Sequence, residues 1–408
     1  TAPRPETAAD APRYNDRLAV DLSPVQIDSL LAVWRERQTL GAYEEFFSTY
    51  VGFDPAAAAA GDRTPDSVYV RRLRDLVSPV QLPYNYIVKG YIDRYTNVRS
   101  GTISRILGMS QYYFPLIEEE LIKAGLPVEL RALPIIESAL SPTAVSPMGA
   151  AGLWQFMPAT GKVYGLEVNS LVDERCDPVL STRAACRYLK DLYTLYKDWT
   201  LAIAAYNCGP GNVNKALARA GDGSRTFWDI YDFLPRETRG YVPAFIGASY
   251  AYAYHKLHGI EFTEPPLPLA TDTIRVDRLL HLGQVSSTID IPMETLRQLN
   301  PQYKLDIVPA TTKTYSLVLP QRYVCRYIQQ QDSIFAKDSA YLKEYMNPAN
   351  LEKKRQQRSG TIYTVKKGDT LGAIARKYRV TTAQLMRWNG IKNANKLRLG
   401  QKIRIEGR

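Results

Sequence analysis

The chain has 408 residues, 45% of them hydrophobic, with a formal net charge of +11. That length leaves room for two or three domains, and that apolar content is ordinary for a soluble globular protein. No apolar run approaches the roughly 18 residues of a membrane-spanning helix. The charge is concentrated at one end: residues 361–408 hold twelve basic and two acidic residues, and everything before them is near neutral. Such a tail suits an anionic wall or membrane surface. No nucleic-acid motif accompanies it, so nucleic acid is not an expected partner. The four cysteines form no CxxC pair and are not spaced with His255, His258 and His281 as zinc ligands, so no metal is expected.

In chain order, Thr1 to about Asn15 is Ala/Pro-rich and is expected to be disordered. Its opening, Thr1-Ala2-Pro3-Arg4-Pro5, reads like a processed start. Ser23-Pro24 marks a helix start, with further helices expected over 41–50 and 63–76 and a flexible connection at Ala56–Gly61. Helical periodicity then covers 84–96, 100–107 and 110–124, with Ser110 as a cap and Gly125 as a stop. Further helices are predicted over 173–196, 199–207, 211–220, 227–233 and 237–256. Cys186 and Cys208 lie almost symmetrically about the turn near Lys197-Asp198, so an antiparallel pair brings them level. A disulfide and two small buried thiols are both open readings.

One stretch concentrates the chemistry. From Leu133 to Thr160, LPIIESALSPTAVSPMGAAGLWQFMPAT, the single charged residue is Glu137. Leu130, Leu133, Ile136 and Leu140 recur at helical spacing, giving the buried stripe of a helix from about Pro127 that Pro142 stops. Glu137 sits at the edge of that stripe. Partial desolvation there raises a carboxyl pKa and keeps the group protonated near neutrality, as a general acid requires. Pro147, Gly149 and Gly152 mark a loop, and Trp154 and Phe156 read as flat apolar platforms around the amide of Gln155. An acid, aromatic faces and amides suit a polymer of sugars. A lone helical Glu is also the commonest kind of solvated surface residue.

Four ordered segments sharpen this: ES at 137–138, SPMGAAGLWQFMPATG at 146–161, AAYNCGPGNV at 204–213 and LPRETRGYVPAF around Tyr241. Together they resemble the successive motifs of the lytic transglycosylases with a goose-type lysozyme fold. The resemblance implies that Glu137 is the only catalytic carboxylate, acting on the bond between N-acetylmuramic acid and N-acetylglucosamine. None of the residues from 139 to 165 is acidic, which agrees with a single-acid, substrate-assisted scheme rather than a two-carboxylate one. By motif position Ser146 and Gln155 bind the glycan, and Met148 and Met157 line its subsites. Tyr206 and Asn207 stand opposite Glu137, and Tyr241 hydrogen-bonds near the reacting ring. Met157 and Tyr241 serve equally well as core residues, Asn207 as a helix C-cap, and Ser138 as a backbone-bonding residue. Peptidoglycan strands are the implied partner, with other cell-wall enzymes beside them. The implied protein is a monomer without cofactor, exported to the periplasm or the outer membrane. A muramidase of similar fold and a non-catalytic wall-binding scaffold are the competing readings.

Beyond the proline-rich linker at 264–270 lies an internal repeat. A shift of 89 positions sets Val276 on Val365, Leu282 on Leu371, Val285 on Ile374, Leu296 on Leu385 and Asn300 on Asn389. The second copy resembles a LysM module, a βααβ fold with strands at 362–365 and 402–405. The resemblance assigns glycan binding to Gly368, Asp369, Thr370, Leu371, Asn389, Gly390 and Ile391. In the first copy Leu279-Leu280-His281 replace the first of those loops and extra residues (304–314) precede its last strand, so the fold is expected there and its sugar binding is left open. The expected architecture is α+β and multidomain. An N-terminal tail and helical extension (1–82) precede a mainly α-helical lysozyme-like domain (83–263). A degenerate LysM-like module (271–322), a polar linker (323–360) and a LysM module (361–406) follow.

Overall fold

A computed structural model describes residues 40–53, 64–97, 101–342 and 361–405, except 222, 224, 367, 379, 390, 392, 395, 396 and 399. The helix expected at Ser23, the disordered start and the Ala56–Gly61 connection lie outside the described residues. The helical part comprises α1 (Leu40–Tyr50), α2 (Asp66–Asp75), α3 (Tyr86–Asn97) and α4 (Gly101–Ala124). A 3-10 turn (Val128–Ala132) then leads into α5 (Leu133–Ser138) and α6 (Pro158–Val163). The remaining helices are α7 (Pro178–Tyr196), α8 (Trp199–Cys208), α9 (Pro210–Ala220) and α10 (Arg236–Tyr254). Beyond its charged first turn α10 is buried on every side from Tyr241 to Ala248, with Tyr241, Val242, Phe245 and Ile246 fully buried. A helix hydrophobic all round belongs in the middle of a core, and α10 packs on α3, α5 and α8. Small residues let α8 join it closely, since Ala202, Ala204 and Ala205 are all fully buried.

Besides the Glu137 helix, where a 3-10 turn and the short α5 replace one helix from Pro127 to Pro142, three boundaries differ from the sequence expectation, each for a local reason. α4 is one helix rather than two. Ser110 does not cap; its hydroxyl donates to Leu107 O in the preceding turn (2.5 Å). Gly108 survives inside α4 because it faces Thr263, whose carbonyl would lie 2.1 Å from any added Cβ. α7 starts at Pro178 rather than Asp173, because the acidic side chains before it are engaged in a loop. Asp173 pairs with Arg175, Glu174 Oε2 accepts from Glu167 N (2.7 Å), and Asp177 caps α7 through Val179 N and Leu180 N. The helix expected over 227–233 is reduced to a 3-10 turn, Tyr231–Phe233.

Of the two open readings for Cys186 and Cys208, the structure has the free thiols, Cys186 buried and Cys208 partly so. Although level on facing helices, they point to different neighbours. Cys186 is influenced by Glu120 of α4, whereas Cys208 bonds with Thr238 of α10.

Among the described residues, a second unit comprises 270–342 together with Asn169–Val172. β1 (Thr271–Val276) pairs antiparallel with β4 (Tyr315–Pro320), Thr271 opposite Pro320 and Val276 opposite Tyr315. β2 (Leu280–His281) pairs with β3 (Ile307–Val308). Two helices, α11 (Leu282–Ile289) and α12 (Met293–Leu299), lie between. Leu282, Val285, Leu296, Leu317 and Leu319 form its fully buried centre, each contributing roughly 1.5–3 kcal/mol by removal from water. Leu171 and Val172 are buried in the same centre, and Lys304 Nζ donates to Asn169 O (2.6 Å). The expectation of a polar linker from 323 is corrected as far as 342. Residues there form α13 (Gln321–Gln329), α14 (Gln331–Phe335) and α15 (Asp338–Tyr341). Tyr327, Ile334, Phe335 and Leu342 bury into the module's core. The polar composition of the stretch describes only the outer faces of short amphipathic helices.

The last stretch forms β5 (Thr361–Thr364), α16 (Leu371–Lys377), α17 (Thr382–Asn389) and β6 (Lys402–Ile405), the strands antiparallel. The repeat is visible in its internal bonds. Asn300 Nδ2 donates to Leu296 O and Asn389 Nδ2 to Leu385 O, both at 2.8 Å. His281 caps α11 where Thr370 caps α16. No helix among the described residues is long and apolar enough to cross a membrane.

Gly108→Ala should destabilise the helical part by about 1–3 kcal/mol, the usual range for overpacking. Its signature is a lowered melting temperature, whereas alanine at the open, right-handed Gly211 should leave that temperature nearly unchanged.

Candidate active site

Glu137 occupies the penultimate position of α5 and is only 7% exposed. The helix stops right after it, four residues before Pro142, because Ala139 (φ 53°) and Leu140 (φ 59°) both turn left-handed. Ser138 Oγ lies 3.0 Å from the carbonyls of Pro134 and Leu153. It thereby ties the end of α5 to the glycine loop. Tyr241, fully buried on α10, donates its hydroxyl to Glu137 Oε1. Burial pushes the Glu137 carboxyl up to about 8; the tyrosine bond opposes that shift, and the charge of Glu237 adds to it. Near neutral pH the group is therefore mostly protonated.

The loop after α5 is shaped by left-handed residues: Gly149 (φ 84°), Gly152 (φ 87°) and, without the freedom of glycine, Gln155 (φ 47°). Backbone bridges join Val145 to Ala151 and Ala151 to Phe156. Ser146 Oγ accepts from Ala150 N (3.1 Å), so this side chain braces its own turn. Gln155 Nε2 donates to Ala144 O (3.0 Å) and Gly152 O (2.9 Å), while its buried Oε1 has no protein partner. Met148 is half-buried and Met157 is 37% exposed. Trp154 and Phe156 correct the reading as open platforms. They are 0% and 2% exposed, and the indole Nε1 of Trp154 donates to Thr182 Oγ1 of α7 (2.8 Å).

From α8, Tyr206 donates to Trp154 O (2.8 Å), and its burial-raised pKa carries an influence from Glu137. Asn207 Oδ1 accepts from Thr238 Oγ1 (2.8 Å); it is not the helix cap, a place taken by Gly209. Glu137, Gln155, Tyr206, Asn207 and Tyr241 are thus joined through α5, the loop, α8 and α10. Sequence reasoning overlooked Glu237 and Thr238, which open α10 inside the quoted segment LPRETRGYVPAF. It also missed Tyr164 and Tyr188, whose rings pack with Phe156 and Tyr206 at 5.1–6.5 Å. A tyrosine one helical turn after a polar residue was the available signal at Glu237. Nothing local marked Tyr188.

In the C-terminal module Gly368 and Thr370 are exposed. Asp369 Oδ2 accepts from Tyr363 Oη and Lys366 N, both at 2.7 Å. Leu371 is a core residue, 1% exposed, so its side chain is withdrawn from any surface ligand. Asn389 is engaged with Leu385 O, Ile391 packs against the core, and Gly390 lies outside the described residues. In the first module Leu280 is fully buried, and burial pushes the His281 imidazole down to about 4.

Comparison with known proteins places these parts. Residues 114–228 match the model of the transglycosylase SLT domain. That span runs from within α4 to beyond α9 and holds Glu137, Gln155, Tyr206 and Asn207. Residues 363–406 match the LysM domain, and residues 270–336 the LysM-like domain of lytic transglycosylase MltD. The chain is 32% identical over 296 residues to membrane-bound lytic murein transglycosylase D of Escherichia coli K12, covering 72% of this chain and 63% of that protein. It is 31% identical over 123 residues to the soluble lytic murein transglycosylase of the same strain, covering 29% of this chain and 19% of that one. The crystal structure of the 70 kDa soluble lytic transglycosylase of Escherichia coli aligns at 21% identity with a TM-score of 0.32, over 59% of this chain and 47% of that one. The chain therefore spans just under two thirds of the first of these relatives.

Two measurements test the electrostatics. Tyr241→Phe removes the bond that holds the carboxyl down, so Glu137 should titrate above about 8 in a carboxyl-resolved NMR titration. Because the folded-state pKa is raised, the stability linked to Glu137 is complete below the unfolded value of about 4.5 and is lost as pH rises through about 8. The melting temperature of Glu137→Gln should consequently fall less than that of the wild type between pH 5 and pH 9.

Proposed function

We infer that the chain is a peptidoglycan lytic transglycosylase, in which Glu137 cleaves the bond between N-acetylmuramic acid and N-acetylglucosamine. The observation that carries this is a desolvated carboxyl, raised to about 8 and held by Tyr241, in a domain of the transglycosylase SLT family. A protonated acid at neutral pH can give its proton to the glycosidic oxygen as the C1–O bond breaks. The 2-acetamido oxygen of the muramoyl residue then bonds to C1, as in glycosidases that lack a carboxylate nucleophile. Glu137, now a carboxylate, takes the proton of the 6-hydroxyl as that oxygen displaces the acetamide. The product is a 1,6-anhydro end, and water is neither consumed nor released. Gln155, Asn207 and Tyr206 are the side chains that orient the sugar, with Met148 and Met157 at the subsites and Ser146 shaping the loop.

The LysM module holds the enzyme on its polymer through the loops at Gly368–Thr370 and Asn389–Ile391. Its basic charge favours a wall whose stem peptides carry carboxylates. Work on that polymer requires export, which favours the periplasm or the outer membrane as its place and other cell-wall enzymes as its neighbours. A hydrolytic muramidase reading has one observation behind it. Glu237, exposed at the start of α10, is close enough for its charge to be felt at Glu137, and a second carboxylate can activate water.

Digestion of purified sacculi should yield fragments lighter by one water than the hydrolytic products; fragments of full hydrolytic mass would establish the muramidase. Activity should fall as pH rises past about 8, where Glu137 loses its proton. Glu137→Gln should lower turnover by on the order of 10²–10⁴-fold, the usual worth of a general acid, while retaining binding to sacculi. Undiminished release by that variant would remove Glu137 from the mechanism.

A further inference from the structure

One buried ion pair beside the glycine loop has no part in the proton transfers above. Arg175 is 7% exposed and Asp173 1%. The guanidinium meets the carboxylate as a fork, Nε on Oδ1 and Nη2 on Oδ2, both at 2.8 Å. Its remaining arm, Nη1, donates to Gly149 O (2.8 Å) and Phe156 O (2.9 Å). Those two carbonyls stand at the ends of the segment that contains left-handed Gly149, Gly152 and Gln155. The contact continues along the chain, since a Cβ on Gly152 would come within 1.7 Å of Arg175 O.

Stability alone does not account for this arrangement. Desolvation consumes most of what a buried pair gains, and apolar replacements of matching volume are often as stable or more so. A planar guanidinium does supply directions, because its donors are rigidly set. Direction is what the loop needs. A non-glycine residue at positive φ is strained and persists only where its surroundings over-determine it. The backbone already pairs Ala151 with Phe156, and Arg175 fastens Gly149 to that pair. Gln155, held inside the bracket, then has both amide hydrogens engaged and Oε1 unshared.

We propose that Arg175 and Asp173 are a positioning pair. They fix the Gly149–Phe156 loop so that Gln155 Oε1 stands ready as an acceptor for an N–H or O–H of the N-acetylated glycan. This rests on the reading of Glu137 as the acid of a glycan-cleaving site. Neither residue of the pair touches substrate or exchanges a proton.

The test compares the wild type with the double variant Arg175→Met/Asp173→Leu and with Arg175→Lys in the full chain. Melting temperature and the turnover of solubilised glycan strands are measured together. The double variant should melt near the wild-type temperature, yet its kcat should fall by about tenfold or more, since displacements of an ångström in a site can cost 10²-fold. KM should change much less, and the alkaline limb of the pH profile should stay near 8, because the contacts of Glu137 are untouched. Lysine can pair with Asp173 but cannot reach both carbonyls, so Arg175→Lys should show an intermediate kcat at wild-type stability. A kcat within twofold of wild type in the double variant overturns the proposal, as does a shifted alkaline limb. If that variant does not fold, Arg175→Lys decides alone: a clear loss of kcat supports the pair, and a kcat within twofold refutes it. A wild type with no turnover at all would instead refute the glycan-cleaving reading.

Discussion

The removal of one carboxyl from water governs the rest of this molecule. An isolated carboxylate in an apolar setting is strongly disfavoured, and the protein resolves the conflict by keeping Glu137 protonated. That resolution needs a dense surround, and the central helix α10 provides it with the fully buried run from Tyr241 to Ala248, from which Tyr241 reaches the acid. Helix α5 contributes in the opposite way, by ending. Two consecutive left-handed residues, Ala139 and Leu140, stop the chain just after the acid, and the glycine loop crosses beside it. Burial and a short helix therefore accomplish together what neither does alone.

The same economy appears in the aromatic residues. Trp154 and Phe156 would have been costly as open platforms, because each exposes a large apolar face. Both lie inside the helical part, and their carbonyls accept hydrogen bonds from neighbouring side chains. Trp154 O receives Tyr206 and Phe156 O receives Arg175. Side chains anchor this loop, and its backbone supports its neighbours.

Much of this was legible beforehand because the signals were local. The stripe of Leu130, Leu133 and Ile136 depends on residues near one another in the chain, and the spacing that sets Asn300 on Asn389 is a simple repeat. The acid was legible because a lone charge among apolar residues is expensive to bury. What escaped depended on distant partners. Nothing around Gly108 announces Thr263, so one helix looked like two. The polar run after residue 322 hid Tyr327, Ile334 and Phe335, whose burial requires the faces of α11 and β1 to be known. Cys186 and Cys208 were level in sequence, yet each has its own neighbours, Glu120 near one and Gly209 O near the other.

A phenol has one hydrogen, and Tyr241 gives its hydrogen to Oε1 of the acid. The carboxyl's own hydrogen is thereby assigned to the other oxygen, Oε2. Whatever leaves or returns at this centre must pass through that single atom. The direction in which that proton can move is accordingly fixed by the torsion of one glutamate side chain.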